Sequence, residues 1–213
     1  MKEYENRLRR IASKIEFAYQ RDARGFGHAV LQASSFAGGE PTLLLLGDTI
    51  YESKEACSCT RQLLDAFERF GGTTVGLGEI PVEHSDRYGV FFGAWEDEDE
   101  RRMKCTHVVE KPTPEAARDS LLMKTKNGDK CYGAFGAYVL TDRVFDRLRY
   151  ADAHDLTGSR GEIELTDALS FLAENGSVTG YVINGTSYDL GNAEAYRRTV
   201  AEFGLSHNIK ESR

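Results

Sequence analysis

The sequence has no run of 18 consecutive apolar residues, which is about the length that a membrane-spanning helix requires. It also shows no apolar core near its start of the kind that a secretory signal carries, because MKEYENRLRRIASKIEF is charged and amphipathic. We therefore expect no membrane contact and a cytoplasmic location. Basic residues are fewer than acidic residues, 27 against 34, and the net charge of −7 disfavours binding to a nucleic acid polymer.

Several familiar enzyme motifs are missing as well. The four cysteines and five histidines show no zinc-ligand spacing, so we expect reduced thiols. There is no G-x-S-x-G nucleophile motif, and no G-x-G-x-x-G or G-x-x-x-x-G-K-S/T phosphate loop. The remaining candidates for chemistry are carboxylates, a lysine and glycines near the ends of predicted strands.

Apolar patterns alternate between strand and helix through most of the chain. IEFAY (15–19) and TLLLLGD (42–48) predict strands, and SCTRQLLDAFERFG (58–71) predicts an amphipathic helix that ends at glycine. Because TLLLLGD has no polar face, we expect it to be buried on both sides of a sheet. The alternation predicts an α/β fold, with a mostly parallel, mixed sheet flanked by helices, in a single domain over residues 1–213.

Two aspartates follow predicted strands. Asp48 comes two positions after the four leucines, and ligands of parallel sheets bind beyond the carboxyl ends of strands. A divalent cation carrying phosphate oxygens would neutralise its charge there, although Asp48 could also cap the following turn. Asp189, in YDLGN, could hold the same Mg²⁺, or either it or Asn192 could cap the next helix.

Other stretches allow both a ligand-binding and a structural role. In RGFGHAV, Gly25 and Gly27 could let a base or a phosphate approach the main chain, or could serve turn geometry alone. In HVVEKP, Glu110 and Lys111 could reach sugar hydroxyls and a phosphate, or could form a solvent-exposed strand end. Neighbours on a strand point to opposite faces, so we do not expect these two to pair. GEIELTDAL indicates a helix start that Thr166 could cap.

The order of these motifs is more specific than any one of them. GFGHAV, VVEKP, GAFGAYVL, GEIELTDAL and YDLGN together resemble the bacterial UTP–glucose-1-phosphate uridylyltransferases, a family of sugar nucleotidyltransferases, over residues 15–208. The resemblance implies a Rossmann-like nucleotide-diphospho-sugar transferase fold. It also implies an enzyme that, with Mg²⁺, transfers a uridylyl group from UTP to glucose 1-phosphate and releases pyrophosphate.

The same resemblance implies roles for individual residues. The nucleotide-binding residues would be Gln20, Gly25 and Asp48, the first two at the uracil edge. The residues at the sugar phosphate would be Gly89, Glu110, Lys111 and Gly136. The metal ligands would be Asp48 and Asp189, and the catalytic residues would be Asp48, Lys111 and Asp189.

The sequence also departs from the family pattern. The family's first strand, its G-x-G-T-R-x-x-P…K segment and the next strands have no counterpart in these 213 residues, so we expect a partial domain. The alternatives are a catalytically incompetent fragment that binds nucleotide sugars or forms oligomers, and a thymidylyltransferase relative. Homo-oligomers would form through the C-terminal helix (193–205), whose apolar face carries Ala195, Tyr196, Val200 and Phe203.

Overall fold

A computed structural model describes residues 2–158 and 160–203 of the chain. The α-helices in these ranges are α1 (Lys2–Ala12), α2 (Phe26–Leu31), α3 (Ser34–Ala37), α4 (Cys59–Phe70), α5 (Pro114–Ser120), α6 (Asp142–Ala153), α7 (Leu165–Glu174) and α8 (Ala193–Glu202), with a 3₁₀ helix at Val82–Arg87. The strands are β1 (Thr42–Leu45), β2 (Thr49–Ser53), β3 (Thr73–Ile80), β4 (Gly89–Trp95), β5 (Arg102–Glu110), β6 (Met123–Thr125), β7 (Gly128–Leu140), β8 (Val178–Val182) and β9 (Gly185–Asp189). Of the helices described, none has the length and apolar character needed to cross a bilayer.

The main sheet is organised around the long strand β7. Its strand order is β1-β7-β3-β8-β5-β4, with β6 attached to β7, while β2 and β9 form a separate two-stranded ladder. The α/β class and the mixed sheet flanked by helices are confirmed. Parallel pairing is limited to β3 and β8 in the described residues, so the sheet is less parallel than the sequence predicts. Short turns join β4 to β5 and β6 to β7, and strands joined in this way must run antiparallel.

Two expectations about individual strands are wrong. β1 is an edge strand that pairs with β7 alone in the described part of the chain, and Leu45 is 43% exposed. Residues 15–19 form no strand; Ile15, Phe17 and Tyr19 are exposed by 52%, 76% and 76%. An apolar pattern becomes a strand only when a neighbour offers backbone hydrogen bonds, and residues 15–19 have none among the described residues. β1 has a neighbour on one side only, which leaves its other edge unpaired in the described residues.

The core covers both faces of β7. Tyr138 and Leu140 pack in the large apolar cluster that includes α6 and α7. Ala137 and Val139 face the opposite side and pack in a second cluster with Leu63 of α4. This alternation follows the pleat of a strand, and it fixes which residues of β7 can face its neighbours.

Candidate active site

Asp48 and Asp189 are brought together by the short β2–β9 ladder. Thr49 lies opposite Asp189 in this ladder, and the amide of Leu190 donates to the Asp48 carbonyl oxygen at 2.7 Å. A methyl group built on Gly191 would lie 2.9 Å from Asp48 Oδ2 and 3.1 Å from Asp189 Oδ1. These two exposed side chains, called the aspartate pair below, therefore converge on one point.

The aspartate pair does not cap the helices that the structure describes. Asn192 caps α8, since its side chain accepts hydrogen bonds from the amides of Glu194 and Ala195 at 3.1 and 2.9 Å. Asp189 Oδ1 accepts a hydrogen bond from the amide of Gly191 at 2.7 Å, which tightens the turn before the helix. The helix-cap alternative for Asp189 is therefore excluded, and its carboxylate faces Asp48.

Two converging carboxylates suit a hard divalent cation such as Mg²⁺. The described residues contain no group of three or more His, Cys, Asp or Glu side chains that could hold a metal. The protein would then supply only the aspartate pair, and phosphate oxygens and water would complete the coordination, as Mg²⁺ prefers. Without a cation the two like charges repel each other.

A second group forms where β4 begins and β5 ends. Gly89 lies opposite Glu110, and a methyl group built on Gly89 would lie 3.3 Å from Glu110 Oε2 and 3.5 Å from Thr166 Oγ1. The Thr166 hydroxyl donates to Glu110 Oε2 at 2.6 Å, and Arg160 approaches Glu110 Oε1 at 3.4 Å. Glu110 is therefore a held side chain and not a free strand end, and Gly89 allows the close approach.

Lys111 completes this second group, called the Glu110 group below (Gly89, Glu110, Lys111 and Thr166). Its φ of +47° lies in the left-handed region that residues other than glycine rarely adopt. Its amide donates to the carbonyl oxygen of Tyr88 at 2.9 Å, and its Nζ lies 3.6 Å from Glu110 Oε1. The expectation that Glu110 and Lys111 do not pair is wrong, because β5 ends at Glu110 and the turn redirects Lys111. Strained residues of this kind cluster at functional sites.

The aspartate pair and the Glu110 group lie at opposite ends of a gap along one edge of β7. On this edge β1 pairs as far as Leu45 with Ala137, and the amide of Leu46 donates to the Gly136 carbonyl oxygen at 3.1 Å. The pairing of β4 with β7 begins at Val90 with Gly133, while β3 pairs along the other edge. Both β1 and β4 run antiparallel to β7, so the end of β1 points toward the start of β4. From Gly136 to Gly133, three residues of extended strand span about 10 Å, which sets the scale of the gap.

Gly136 lies at the β1 end of this gap and is buried, with a φ of +91°. The Tyr51 hydroxyl donates to its carbonyl oxygen at 2.7 Å. Burial raises the pKa of Tyr51 to about 12, with a smaller contribution from the Asp48 charge. Burial also raises the pKa of Tyr138, and the Glu110 charge adds to it. Both tyrosines are therefore neutral near pH 7, and the charge that adds to the rise in pKa is Asp48 for Tyr51 and Glu110 for Tyr138.

Gln20 and Gly25 also contact each other. Gln20 Nε2 lies 3.0 Å from both the Gly25 carbonyl oxygen and His28 Nδ1. Gly25 has a φ of +110°, and a methyl group built on it would lie 2.7 Å from the Ile163 carbonyl oxygen. Turn geometry and close packing therefore explain Gly25 without a ligand, and a role for these two residues at the base stays a prediction.

The contact that Thr166 makes does not follow from the sequence. Glu164, not Thr166, occupies the N-cap position of α7, so the expected cap is wrong. Thr166 lies in the first turn, and its hydroxyl is turned away from the helix backbone to Glu110. Arg160 binds the buried Glu164 at 2.6 Å and holds the preceding loop beside this group. The GEIELTDAL motif was the available signal, but it gave no indication of the partner.

Residues 1–204 match the family model described as nucleotidyl transferase. The chain belongs to this family. Among curated relatives, the UTP–glucose-1-phosphate uridylyltransferase of Pseudomonas aeruginosa is 32% identical over 191 residues, which are 89% of this chain and 62% of the relative. UTP–glucose-1-phosphate uridylyltransferase 2 of Staphylococcus saprophyticus is 32% identical over 198 residues, 91% of this chain and 60% of the relative. This nucleotidyl transferase chain thus spans about 60% of the length of these relatives.

Solved structures agree with the family membership. A UDP-glucose pyrophosphorylase complexed with UDP-glucose is 29% identical with a TM-score of 0.77, covering 94% of this chain and 72% of that one. An apo UDP-glucose pyrophosphorylase is 28% identical with a TM-score of 0.74, covering 92% and 68%. The resemblance and fold class predicted from the sequence motifs are therefore confirmed. Nucleotidyl transferases of this family generally use a divalent metal ion.

Proposed function

We propose that this chain acts, as one domain, in the transfer of a uridylyl group from UTP to glucose 1-phosphate, which yields UDP-glucose and pyrophosphate. The observation that carries the proposal is the gap along β7, with an aspartate pair at one end and a Glu–Lys group at the other. Relatives named for this reaction, and a structural neighbour solved with UDP-glucose, support the substrate class.

In this proposal, each end of the gap binds a different part of the substrates. The aspartate pair holds Mg²⁺, which would neutralise phosphate charge when bound. Glu110 accepts hydrogen bonds from sugar hydroxyls, beside Gly89 and Gly136, where a methyl group would crowd Glu110 at 3.3 Å and the Tyr51 hydroxyl at 3.1 Å. Lys111 places a positive charge at the sugar's phosphate.

The chemistry requires positioning and charge neutralisation and no covalent nucleophile. An oxygen of the sugar phosphate attacks the α-phosphorus of UTP and forms the new P–O bond. The bond from the α-phosphorus to the bridging oxygen breaks, and its electron pair leaves with pyrophosphate. Lys111 lowers the repulsion between the two anions as they approach, while Gln20 and Gly25 contact the uracil edge.

Pyrophosphate release from UTP and glucose 1-phosphate, with Mg²⁺ present, tests this function. We expect release by the wild-type chain and a loss of at least about tenfold in Lys111→Ala. Lys124→Ala is a matched control, because the Lys124 side chain is 86% exposed and pairs with Asp129 on the surface. Release that prefers thymidine triphosphate would favour the thymidylyltransferase alternative. Binding of UDP-glucose without any release would favour the binding module and contradict the proposed reaction.

We propose in addition that α8 is a contact between copies of the chain. It exposes Tyr196 and Val200 by 55% and 63%, whereas Ala195 is half-buried, and Phe203, directly after the helix, is 47% exposed. The sequence predicts a helix as far as Leu205, but α8 ends at Glu202 and Phe203 is extended; residues 204 and 205 lie outside the described residues. Sedimentation of the wild-type chain and of Val200→Glu tests this proposal: we expect the variant to dissociate, and a monomeric wild type would contradict it.

A further inference from the structure

Thr166 makes a contact that neither helix capping nor the proposed chemistry requires. Its hydroxyl donates to Glu110 Oε2 at 2.6 Å, from a position in the first turn of α7. A threonine that only stabilised its helix would bond to the backbone of its own first turn. The direction of this hydrogen bond therefore points to a role at Glu110.

The two oxygens of the Glu110 carboxylate have different partners. Oε2 is occupied by the Thr166 hydroxyl, whereas Oε1 faces Arg160 at 3.4 Å and Lys111 Nζ at 3.6 Å. An ionised carboxylate offers about four acceptor positions, so positions remain on both oxygens. Rotation about the last side-chain bond of a glutamate is otherwise broad, and one fixed oxygen removes that freedom.

The surroundings of both side chains favour the hydrogen bond between Thr166 and Glu110. The Glu110 side chain is only 20% exposed, so water competes little for Oε2. Thr166 is half-buried, and its branched side chain has few rotamers in a helix. A methyl group built on Gly89 would touch both partners, at 3.3 and 3.5 Å, so the pair borders the space proposed for the sugar.

We propose that Thr166 is a positioning residue that fixes the Glu110 carboxylate for the hydroxyls of the bound sugar. The inference rests on the proposed function, because it takes the sugar of a nucleotide sugar as the ligand of Glu110. Thr166 acts through Glu110 alone, so it affects the sugar contribution to binding and leaves the nucleotide contribution unchanged.

Calorimetric titration with UDP-glucose and with UDP, both in Mg²⁺, separates these contributions. Thr166→Val keeps the shape of the side chain and removes the donor, whereas Thr166→Ser keeps the donor. Thr74→Val is a matched control, because the Thr74 hydroxyl is buried and has no hydrogen-bond partner among the described residues. Glu110→Gln reports on the sugar contact itself, and thermal unfolding of each variant monitors folding.

We expect Thr166→Val to bind UDP-glucose about tenfold more weakly, because the freed Glu110 carboxylate must then be ordered when the sugar binds, with UDP affinity unchanged. Thr166→Ser should recover most of the affinity, and Thr74→Val should match the wild type. Wild-type affinity in Thr166→Val, or an equal loss for UDP and UDP-glucose, would overturn the inference. If Glu110→Gln alone loses affinity, the inference fails and the proposed function stands. If the wild type does not bind UDP-glucose, the proposed function fails and the inference fails with it.

Discussion

Lys111 allows backbone strain and ligand binding to be tested in the same pair of variants. Its φ of +47° crowds Cβ against the carbonyl oxygen, which costs about 1–2 kcal/mol in residues other than glycine. Lys111→Ala and Lys111→Gly both remove the ammonium group and its contact with Glu110. Only glycine also removes Cβ, so the contribution of the ion pair cancels when the two variants are compared.

We expect Lys111→Gly to have a free energy of unfolding about 1 kcal/mol higher than that of Lys111→Ala. The released strain of about 1–2 kcal/mol is partly offset by about 0.4–1 kcal/mol of extra chain entropy in the unfolded glycine variant. At a position with ordinary φ the sign reverses, and glycine is less stable than alanine by about 0.5–1 kcal/mol. The exposed strand residue Lys124 provides that control.

Urea unfolding of the four variants measures these differences, and calorimetry with UDP-glucose measures binding. Both Lys111 variants should bind UDP-glucose equally weakly, since each lacks the ammonium group. A glycine variant less stable than its alanine counterpart at residue 111 would refute the left-handed turn. The turn is what places Lys111 beside Glu110, so that result would also remove the structural basis of the Glu110 group.

Other predictions concern the aspartate pair, two buried thiols and the carboxyl group of Asp167. Gly191→Ala places a methyl group 2.9 Å from Asp48 Oδ2 and should weaken Mn²⁺ binding, followed by electron paramagnetic resonance, about tenfold. Gly47→Ala, whose methyl group would meet no atom within 4 Å, should leave Mn²⁺ binding unchanged. Equal effects of the two variants on Mn²⁺ binding would contradict the geometry. Burial raises the pKa of Cys105 to about 12 and of Cys131 to about 11, so neither thiol should react with a thiol reagent at pH 8 before unfolding. Desolvation and nearby carboxylates raise the pKa of Asp167, so its ionised form destabilises the fold and Asp167→Asn should raise the unfolding temperature at pH 7. The gain in unfolding temperature should shrink as the pH falls through the raised pKa of Asp167. A larger gain in acid would contradict the raised pKa.

Strand ends were the part of the site that the sequence could predict. Asp48, Glu110 and Asp189 each follow an apolar or alternating stretch, and a carboxylate at that place is unusual enough to be singled out. Their convergence depends on pairings between distant segments. The β2–β9 ladder joins residue 49 to residue 189, and no local pattern encodes it.

The wrong predictions also concern features that the local sequence does not encode. Four consecutive leucines predicted full burial, but β1 has a single neighbour in the described residues and Leu45 is partly exposed. Lys111 gave no sign of a left-handed conformation, because glycine and asparagine are the usual signals of one. Thr166 is not the predicted cap, because its hydrogen-bond partner Glu110 lies on another element, which sequence spacing does not reveal.

The affinity for UDP-glucose of Asp189→Asn and Lys111→Ala, measured by calorimetry in Mg²⁺ and again in a chelator, tests most directly whether one ligand spans the gap along β7. Both variants should bind at least about tenfold more weakly than the wild type in Mg²⁺. In the chelator the Asp189→Asn loss should disappear, while the Lys111→Ala loss remains. Wild-type affinity in either variant in Mg²⁺ would contradict a single site shared by the aspartate pair and the Glu110 group.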